Sequence, residues 1–255
     1  MDLFYISLFA FIAGLVDAVV GGGGLIQLPA LLVFLPPALT ESIPSVFGTN
    51  KMASICGTSM AVAQYARRIR FNWGFLLPTA FMALLFSFLG ARAVSHLHNQ
   101  VLKPIILFLL VAVAIYTFLR KDFGDHHRPK LSGRKEIWAG ALVGMVIGFY
   151  DGFFGPGTGS FLIFIFISLF GFDFLTASAH AKAVNFAANL AAVTYFASSG
   201  QVYYHYALPM AVCNMTGSFV GTRLAVLKGN AFVRLFFLAV VSVMILRFGY
   251  ELVWP

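Results

Sequence analysis

Charged residues and cysteines are both rare in this chain of 255 residues. Asp, Glu, Lys and Arg together make up 10% of it and hydrophobic residues 60%, whereas charged residues make up about a quarter of a typical soluble domain. A soluble protein of this length cannot hide that much apolar surface. The composition therefore excludes an ordinary soluble domain and predicts an all-α polytopic membrane protein, since apolar runs such as residues 101–119 approach the roughly 20 residues that span a bilayer.

The chain also lacks the residue patterns of common catalytic and cofactor sites. Its two cysteines, Cys56 and Cys213, stand in separate apolar segments without CxxC spacing, which argues against a disulfide framework and a metal site. No HExxH motif, P-loop GK[ST] or pair of catalytic carboxylates at useful spacing occurs. We therefore expect no enzymatic activity, no cofactor and no metal.

The formal net charge of +8 would suggest a nucleic-acid partner if the domain were soluble. Here the basic residues cluster in short loops, where they fit membrane orientation better, so we expect a lipid bilayer and no nucleic acid as partner. The N-terminal stretch lacks a basic region and a small-residue cleavage site, so residues 2–20 are predicted to be the first membrane helix and not a removable signal peptide.

An internal duplication organises the sequence. The charged and breaker residues of the first half recur in the same order in the second half, at an offset of 134 and then of 131. At the first offset the matches are Gly14, Asp17, Gly21 and Gly23 with Gly148, Asp151, Gly155 and Gly157; at the second they include Lys51 with Lys182, Pro78 with Pro209, Gly90 with Gly221 and Arg92 with Arg223. The order of these matches predicts two homologous halves, residues 1–120 and 136–255, joined by a basic linker at 121–135.

Each half is predicted to hold five helical segments. In the first half they are residues 2–20, 25–36, 44–66, 73–95 and 101–120, and in the second 136–154, 159–171, 175–198, 203–226 and 231–252. The second segment of each half is too short to span a bilayer alone. With its predecessor it is predicted to form a helix pair broken, or re-entrant, at the glycines, beside three spanning helices.

The basic loops predict how the halves sit in the membrane. Arg67, Arg68 and Arg70 mark one cytoplasmic loop, and the linker is a second. The counterpart of the Arg67 loop in the second half has no basic residue, whereas Lys228 and Arg234 flank the next loop. This shift by one helix predicts inverted repeats in the cytoplasmic membrane, with the linker cytoplasmic and both termini outside.

The two glycine clusters are predicted to line a site. Non-helical backbone is tolerated inside a membrane only where it is buried in protein or lines a wet cavity, and a helix that starts after such a break points N–H groups and a positive dipole end at an anion. The alternative is that the glycines only let helices pack closely. The predicted backbone contacts to the anion are Gly21, Gly22, Gly23, Gly24, Gly155, Gly157, Thr158 and Gly159.

Polar residues at helical spacing form one stripe in the third segment of each half. The stripes are Lys51, Ser54 and Thr58 in the first half and Lys182, Asn185 and Asn189 in the second, extended by Asn50 and His180. An intramembrane lysine usually faces a cavity or a partner, so we predict that both stripes bind substrate and that Asp17 and Asp151 serve in coupling or gating. The alternatives are that Lys51 with Asp17 and Lys182 with Asp151 are structural pairs, or that the lysines snorkel. Arg92 and Arg223 are expected to snorkel at a helix end.

Four stretches resemble the sulfite exporter TauE/SafE family: DAVVGGGGLIQLPALL at 17–32, GTNKMASICGT at 48–58, GFYDGFFGPGTGSF at 148–161 and AKAVNFAANLAAV at 181–193. The resemblance runs essentially end to end. It implies two related halves and movement of small, often sulfur-containing anions across the cytoplasmic membrane, commonly outward. Family members are usually described with seven or eight spans, which counts the broken pairs differently.

The sequence thus predicts a secondary transporter for a small anion such as sulfite, a sulfonate or thiosulfate. An anion channel built on the same glycine breaks, or a membrane subunit that transports nothing, are the alternatives. Assembly as a homo-oligomer stays open.

Overall fold

A computed structural model describes residues 2–96 and 130–253. Over these residues it is helical and contains no strand. The predicted helix at 101–120 and most of the linker lie outside the described residues. The elements in chain order are α1 (Asp2–Val20), α2 (Gly24–Phe34), α3 (Pro37–Thr40), α4 (Ile43–Ala66), α5 (Trp73–Ser95), α6 (Gly133–Phe153), α7 (Thr158–Ser168), α8 (Phe174–Ser198) and α9 (Tyr204–Val253).

Most predicted segments match these helices within a few residues, and the differences have local causes. α3 was not predicted; it is a single turn that starts at Pro37, a residue suited to the first position of a helix. α9 consists of two helices that meet at a kink at Gly229, whose φ of 69° and ψ of −163° are not helical, and it thus agrees with the two helices predicted at 203–226 and 231–252. Glycine tolerates that conformation at little cost.

Three helices in the described part of the chain are long and apolar enough to cross a bilayer: Asp2–Val20, Trp73–Ser95 and Tyr204–Gly229. α4 and α8 are also long, with 24 and 25 residues, but they carry the buried polar stripes, which lower their hydropathy. Large apolar side chains such as Trp138, Leu77 and Phe81 lie exposed on the outer surface. The apolar exterior suits contact with lipid, and most of the buried polar side chains find their hydrogen-bond partners within the protein.

The two halves of the chain interleave. α4 packs against α8, α5 against α6, and α1 against α9, so the most extensive helix contacts join one half to the other. Small residues make this possible: Gly90 lies against the carbonyl of Phe149, and its counterpart Gly221 lies against the carbonyl of Leu15. A Cβ at either glycine would collide with the neighbouring backbone.

Two hydrogen bonds between the halves also form an equivalent pair, in which the donor and acceptor halves are exchanged. Ser87 Oγ in α5 donates to the carbonyl of Ala188 in α8 at 2.8 Å, and Ser218 Oγ in α9 donates to the carbonyl of Gly57 in α4 at 2.6 Å. Both serines are buried. Their positions correspond at the offset of 131 found in the sequence, and so do their acceptors. These bonds hold α4 and α8, the helices that carry the polar stripes, at the centre of the bundle.

Candidate functional site

The two glycine breaks of the sequence meet each other inside the protein. Gly21 has a φ of 80°, and its Cα lies so close to Gly159 that a Cβ on Gly159 would come within 2.5 Å of it. Ser160 stabilises the contact between the two breaks with two hydrogen bonds. Its backbone N–H donates to the carbonyl of Gly21 at 3.3 Å, and its hydroxyl donates to the carbonyl of Val20 at 2.8 Å. The breaks are therefore one joint structure, built from both halves.

Asp17 links the first break to a lysine of the other half. One of its carboxylate oxygens accepts the backbone N–H of Gly23 at 3.3 Å, at the start of α2. The other oxygen accepts the Lys182 ammonium at 2.8 Å. A carboxylate at a helix N-terminus is stabilised by the helix dipole, so Asp17 occupies the kind of position where an anion binds.

Lys51 and Asp151 form the second ion pair. The Lys51 ammonium donates to Asp151 Oδ2 at 2.6 Å, and both side chains are buried, with exposures of 5% and 1%. In the first ion pair the Lys182 side chain is 0% exposed but that of Asp17 is 21% exposed. Each lysine thus binds the aspartate of the opposite half. The alternative drawn from the sequence pairs each lysine with the aspartate of its own half. The structure differs because the halves interleave, which brings the carboxylate of the other half closer.

The asparagines of α8 complete the environment of the Lys51–Asp151 pair. Asn189 Oδ1 accepts from Lys51 at 3.0 Å, and Asn185 Nδ2 donates to Asp151 Oδ1 at 3.3 Å. Asn189 Nδ2 in turn donates to Asn185 Oδ1 at 3.2 Å and to Thr58 Oγ1 at 3.4 Å. The buried charges of this pair are therefore satisfied by amides as well as by each other, whereas the hydrogen bonds described for the Lys182–Asp17 pair add only the Gly23 amide.

A small cavity lies between the breaks and the stripes. Its volume is about 20 Å³, about the room that one water needs. It is lined by Asp17, Gly21, Gly24, Asn50, Lys51, Ser54, Asp151, Gly155, Thr158, Gly159, Asn185 and Asn189. Every one of these residues belongs to the set that the sequence predicts. We call this space the central cavity.

The remaining predicted residues lie around the central cavity or away from it. Thr58 and Lys182 bond to residues of its lining, and Gly23 bonds to Asp17. Gly22 and Gly157 belong to the breaks but not to the lining.

His180 lies outside the lining of the central cavity. Its Nε2 accepts the backbone N–H of Asn72 at 3.1 Å and its Nδ1 lies 2.8 Å from the carbonyl of Thr176. At the corresponding position of the first half, Thr49 Oγ1 accepts the backbone N–H of Tyr203 at 2.9 Å. Asn72 caps α5 and Tyr203 immediately precedes α9. In this structure both side chains therefore satisfy the backbone at the start of a helix from the other half.

Two polar residues near the site were not singled out from the sequence. Asn214 Nδ2 in α9 donates to Gln27 Oε1 at 2.7 Å, and Gln27 Nε2 donates to the carbonyl of Asn50 at 3.2 Å. Asn214 and Gln27 are buried. The signal in the sequence is that each is an amide surrounded by apolar residues, where a buried polar group needs a partner.

The buried Asn50 side chain has an oxygen, Oδ1, with no hydrogen-bond partner among the described residues. The side chain lies in the lining of the central cavity. An unsatisfied polar atom there is free to bind a proton donor.

The chain matches the family model described as Sulfite exporter TauE/SafE over residues 6–248. Three similar proteins are each named a probable membrane transporter protein. ORF9 of Sinorhizobium sp is 39% identical over 91% of this chain and 86% of its own length. A protein of Haemophilus influenzae is 32% identical over 96% and 93%, and YfcA of Escherichia coli is 32% identical over 98% and 89%. No solved structure matches the chain.

Proposed function

Because the chain belongs to the sulfite exporter TauE/SafE family of membrane transporters, we propose that it carries a small oxyanion outward across the cytoplasmic membrane. The anion is of the sulfite, sulfonate or thiosulfate type. It binds in an expanded form of the central cavity, where the ammonium groups of Lys51 and Lys182 attract it and the hydroxyl and amide groups of the stripes orient it.

The observation that carries this proposal is the presence of two ion pairs that each join the two halves, the buried pair Lys51–Asp151 and the partly buried pair Lys182–Asp17. Two lysines and two aspartates give a site with a formal charge of zero. A buried anion added to this set would be uncompensated, so a carboxylate has to take up a proton or move away from its lysine. In this scheme a carboxylate occupies the position beside a lysine that the transported anion takes when it binds.

In this scheme Asp17 is the carboxylate that is released from its lysine. It is the more exposed of the two aspartates, at 21% against 1%. The Asp151 carboxylate, in contrast, is held by Lys51 and Asn185. Release of Asp17 frees two anion-binding groups at once, the Lys182 ammonium and the Gly23 amide. Lys51, Asn189 and Asn185 then form the more rigid side of the site.

A carrier is favoured over a channel by the size of the central cavity. At about 20 Å³ it holds roughly one water, which is too little for an oxyanion of four or more heavy atoms. The cavity therefore has to expand before the substrate can bind. An open pore would show continuous access through the same glycine breaks.

Alternating access is supported by the exchanged contacts of the two halves. Three kinds of contact occur twice with the halves exchanged: the lysine–aspartate pairs, the serine–carbonyl bonds and the backbone N–H bonds to Thr49 and His180. We infer a pseudo-two-fold axis through the central cavity and, with the shifted basic loops, inverted repeats with both termini outside. Repeats of this kind move by rocking around a central site.

Ligand-induced stabilisation of the purified protein tests the proposal. Sulfite, thiosulfate, a small sulfonate and a small carboxylate are each added over a range of concentrations, and Tm is measured, because a ligand that binds the folded state raises Tm by mass action. We expect at least one sulfur oxyanion to raise Tm saturably and the variant Lys182→Gln/Asp17→Asn to lose that response. An unchanged response in this variant would exclude the proposed site.

A further inference from the structure

A second polar cavity lies between α4 and α9, apart from the central cavity. Its volume is about 490 Å³, and it is lined by Gln64, Arg67, Arg68, Phe219, Arg223, Val226 and Leu227. We call it the arginine cavity. Arg67 directly follows the last residue of α4, and Gln64 ties the two helices together, since its Nε2 donates to the carbonyl of Phe219 at 3.2 Å.

The arginine cavity is separate from the central cavity, because the two share no lining residue and Lys51 lies far from Arg67 along the chain. Lys51 and Arg67 are sixteen positions apart, and the chain between them is helical up to Ala66. At 1.5 Å per residue this separation is roughly 24 Å along the helix axis. The cavity therefore lies at the end of α4 that the basic loops place at the cytoplasmic surface.

The charges of the arginine cavity are all of one sign. Its described lining holds three guanidinium groups, from Arg67, Arg68 and Arg223, and no carboxylate. None of the three takes part in an ion pair described between residues of the chain. Like charges brought into one cavity repel each other, so an anion that enters it is stabilised. Guanidinium groups suit the phosphate group in particular, because their paired N–H groups match two of its oxygens.

The walls of the same cavity are apolar and exposed. Phe219 is 43% exposed and Leu227 is 71% exposed, and Val226 lies beside them in the lining. A free phosphate ion gains nothing from such a wall, whereas a phospholipid places acyl chains on it while its phosphate contacts the arginines. Basic pockets between membrane helices on the cytoplasmic side are suited to anionic headgroups.

The internal duplication does not repeat the cluster of three arginines. Moving by the offset of 131, the positions of Arg67 and Arg68 correspond to Ser198 and Ser199, while Arg223 corresponds to Arg92. The fold does not require three arginines at these positions, because the corresponding positions hold two serines and one arginine. Arg92, an exposed residue at the corresponding position of α5, is therefore a matched control.

We propose that the arginine cavity binds the phosphate of an anionic phospholipid, with an acyl chain against Phe219 and Leu227. The lipid bridges the end of α4 to α9 and so stabilises the packing of the helix that supplies Asn50, Lys51 and Ser54 to the central cavity. This site takes a structural lipid and is independent of the transported anion.

Native mass spectrometry and Tm measurements on the full chain in detergent test the proposal. Phosphatidylglycerol, phosphatidylcholine and inorganic phosphate are compared for wild type, Arg223→Gln, Arg67→Gln/Arg68→Gln/Arg223→Gln and Arg92→Gln. We expect phosphatidylglycerol to remain bound and to raise Tm in wild type and Arg92→Gln. Its affinity should fall about tenfold in Arg223→Gln, the loss of one charged hydrogen-bonding group, and further in the triple variant.

The single variant keeps the test valid if the triple variant fails to fold, because Arg223→Gln leaves the loop charges that orient the protein unchanged. Equal affinity for phosphatidylglycerol in wild type and Arg223→Gln would overturn the site. Equal stabilisation by phosphatidylcholine would show that the headgroup charge is irrelevant. Stabilisation by inorganic phosphate without any by phosphatidylglycerol would show that the cavity binds a free anion, and it would contradict the lipid.

Discussion

The ammonium of Lys51 lies 2.6 Å from the carboxylate of Asp151, a residue 100 positions later in the other half of the chain. Its counterpart, Lys182 with Asp17, spans 165 positions at 2.8 Å. These two ion pairs, one buried and one partly buried, each join the two halves and place four charges around one small cavity. The proposed transport depends on this arrangement.

Removing one partner of the deeper ion pair should destabilise the protein strongly. In Lys51→Met the Asp151 carboxylate stays buried without its cation, which costs about 3–5 kcal/mol. The double variant Lys51→Met/Asp151→Asn removes both charges and should recover most of that loss. Unfolding in detergent measures both. A double variant as unstable as the single one would show that the two charges do not act as a pair.

The two lysines should differ in how much stability their loss costs. Lys182→Met should lower Tm less than Lys51→Met, because the carboxylate that it leaves without a cation, Asp17, is more exposed than Asp151. Parallel Tm measurements on the two variants in detergent check this. Equal Tm losses would remove the distinction between a rigid and a mobile side.

Gly21 should tolerate no side chain. Its φ of 80° is unfavourable for alanine, and a Cβ would collide with the backbone of Gly159 and Ser160. Gly200 is a matched control because it has a similar φ of 70° with nothing within 4 Å of an added Cβ. We expect Gly200→Ala to cost roughly 1–2 kcal/mol from backbone strain alone, and Gly21→Ala to cost clearly more and to abolish transport. Similar Tm losses in both variants would mean that the two breaks do not touch.

The glycine breaks and the polar stripes could be predicted from the sequence, because each is a local pattern that contradicts its apolar surroundings. Of the twelve residues that line the central cavity, ten carry one of these two signals, and the other two, Asp17 and Asp151, match each other in the internal duplication. Which lysine binds which aspartate could not be predicted, since that choice depends on how the helices of the two halves interleave. Within one half, Lys51 and Asp17 are equally plausible partners on sequence grounds.

His180 lies next to a polar stripe but outside the lining of the central cavity. Its binding role stays a prediction, and in the structure its Nε2 accepts the Asn72 N–H at the start of another helix. At the offset of 131, His180 corresponds to Thr49, whose hydroxyl oxygen accepts the backbone N–H of Tyr203 in the same way. This correspondence was the signal available in the sequence. Gln27 and Asn214 escaped prediction for a similar reason, since each is a single amide whose partner lies in a distant segment.

The pseudo-two-fold relationship predicts equal effects at two serines. Ser87→Ala and Ser218→Ala each remove one interhelical hydrogen bond to a backbone carbonyl. Such bonds contribute about 0.6 kcal/mol on average in membrane proteins, so the two Tm losses should be small and of the same size. A large loss at one serine and none at the other would contradict equivalent halves.

The inverted orientation of the halves is tested by tags at the two ends of the chain. Labelling of intact cells with a membrane-impermeant reagent should reach a tag at either terminus and should miss a tag in the linker at 121–135. If the two termini lay on opposite faces, each half would cross the membrane in the same sense, and the inferred axis through the central cavity would be wrong.

Saturable flux of labelled sulfite or thiosulfate into proteoliposomes shows whether the substrate binds at the two lysines. Wild type and Arg92→Gln are compared with Lys51→Gln/Asp151→Asn and Lys182→Gln/Asp17→Asn, which remove one ion pair each without adding net charge. The account predicts saturable flux in the first two proteins and a loss of roughly 100-fold in each double variant, as expected when a buried anion loses a charged partner. Full flux in both double variants, with each protein folded, would contradict a substrate site at the two lysines.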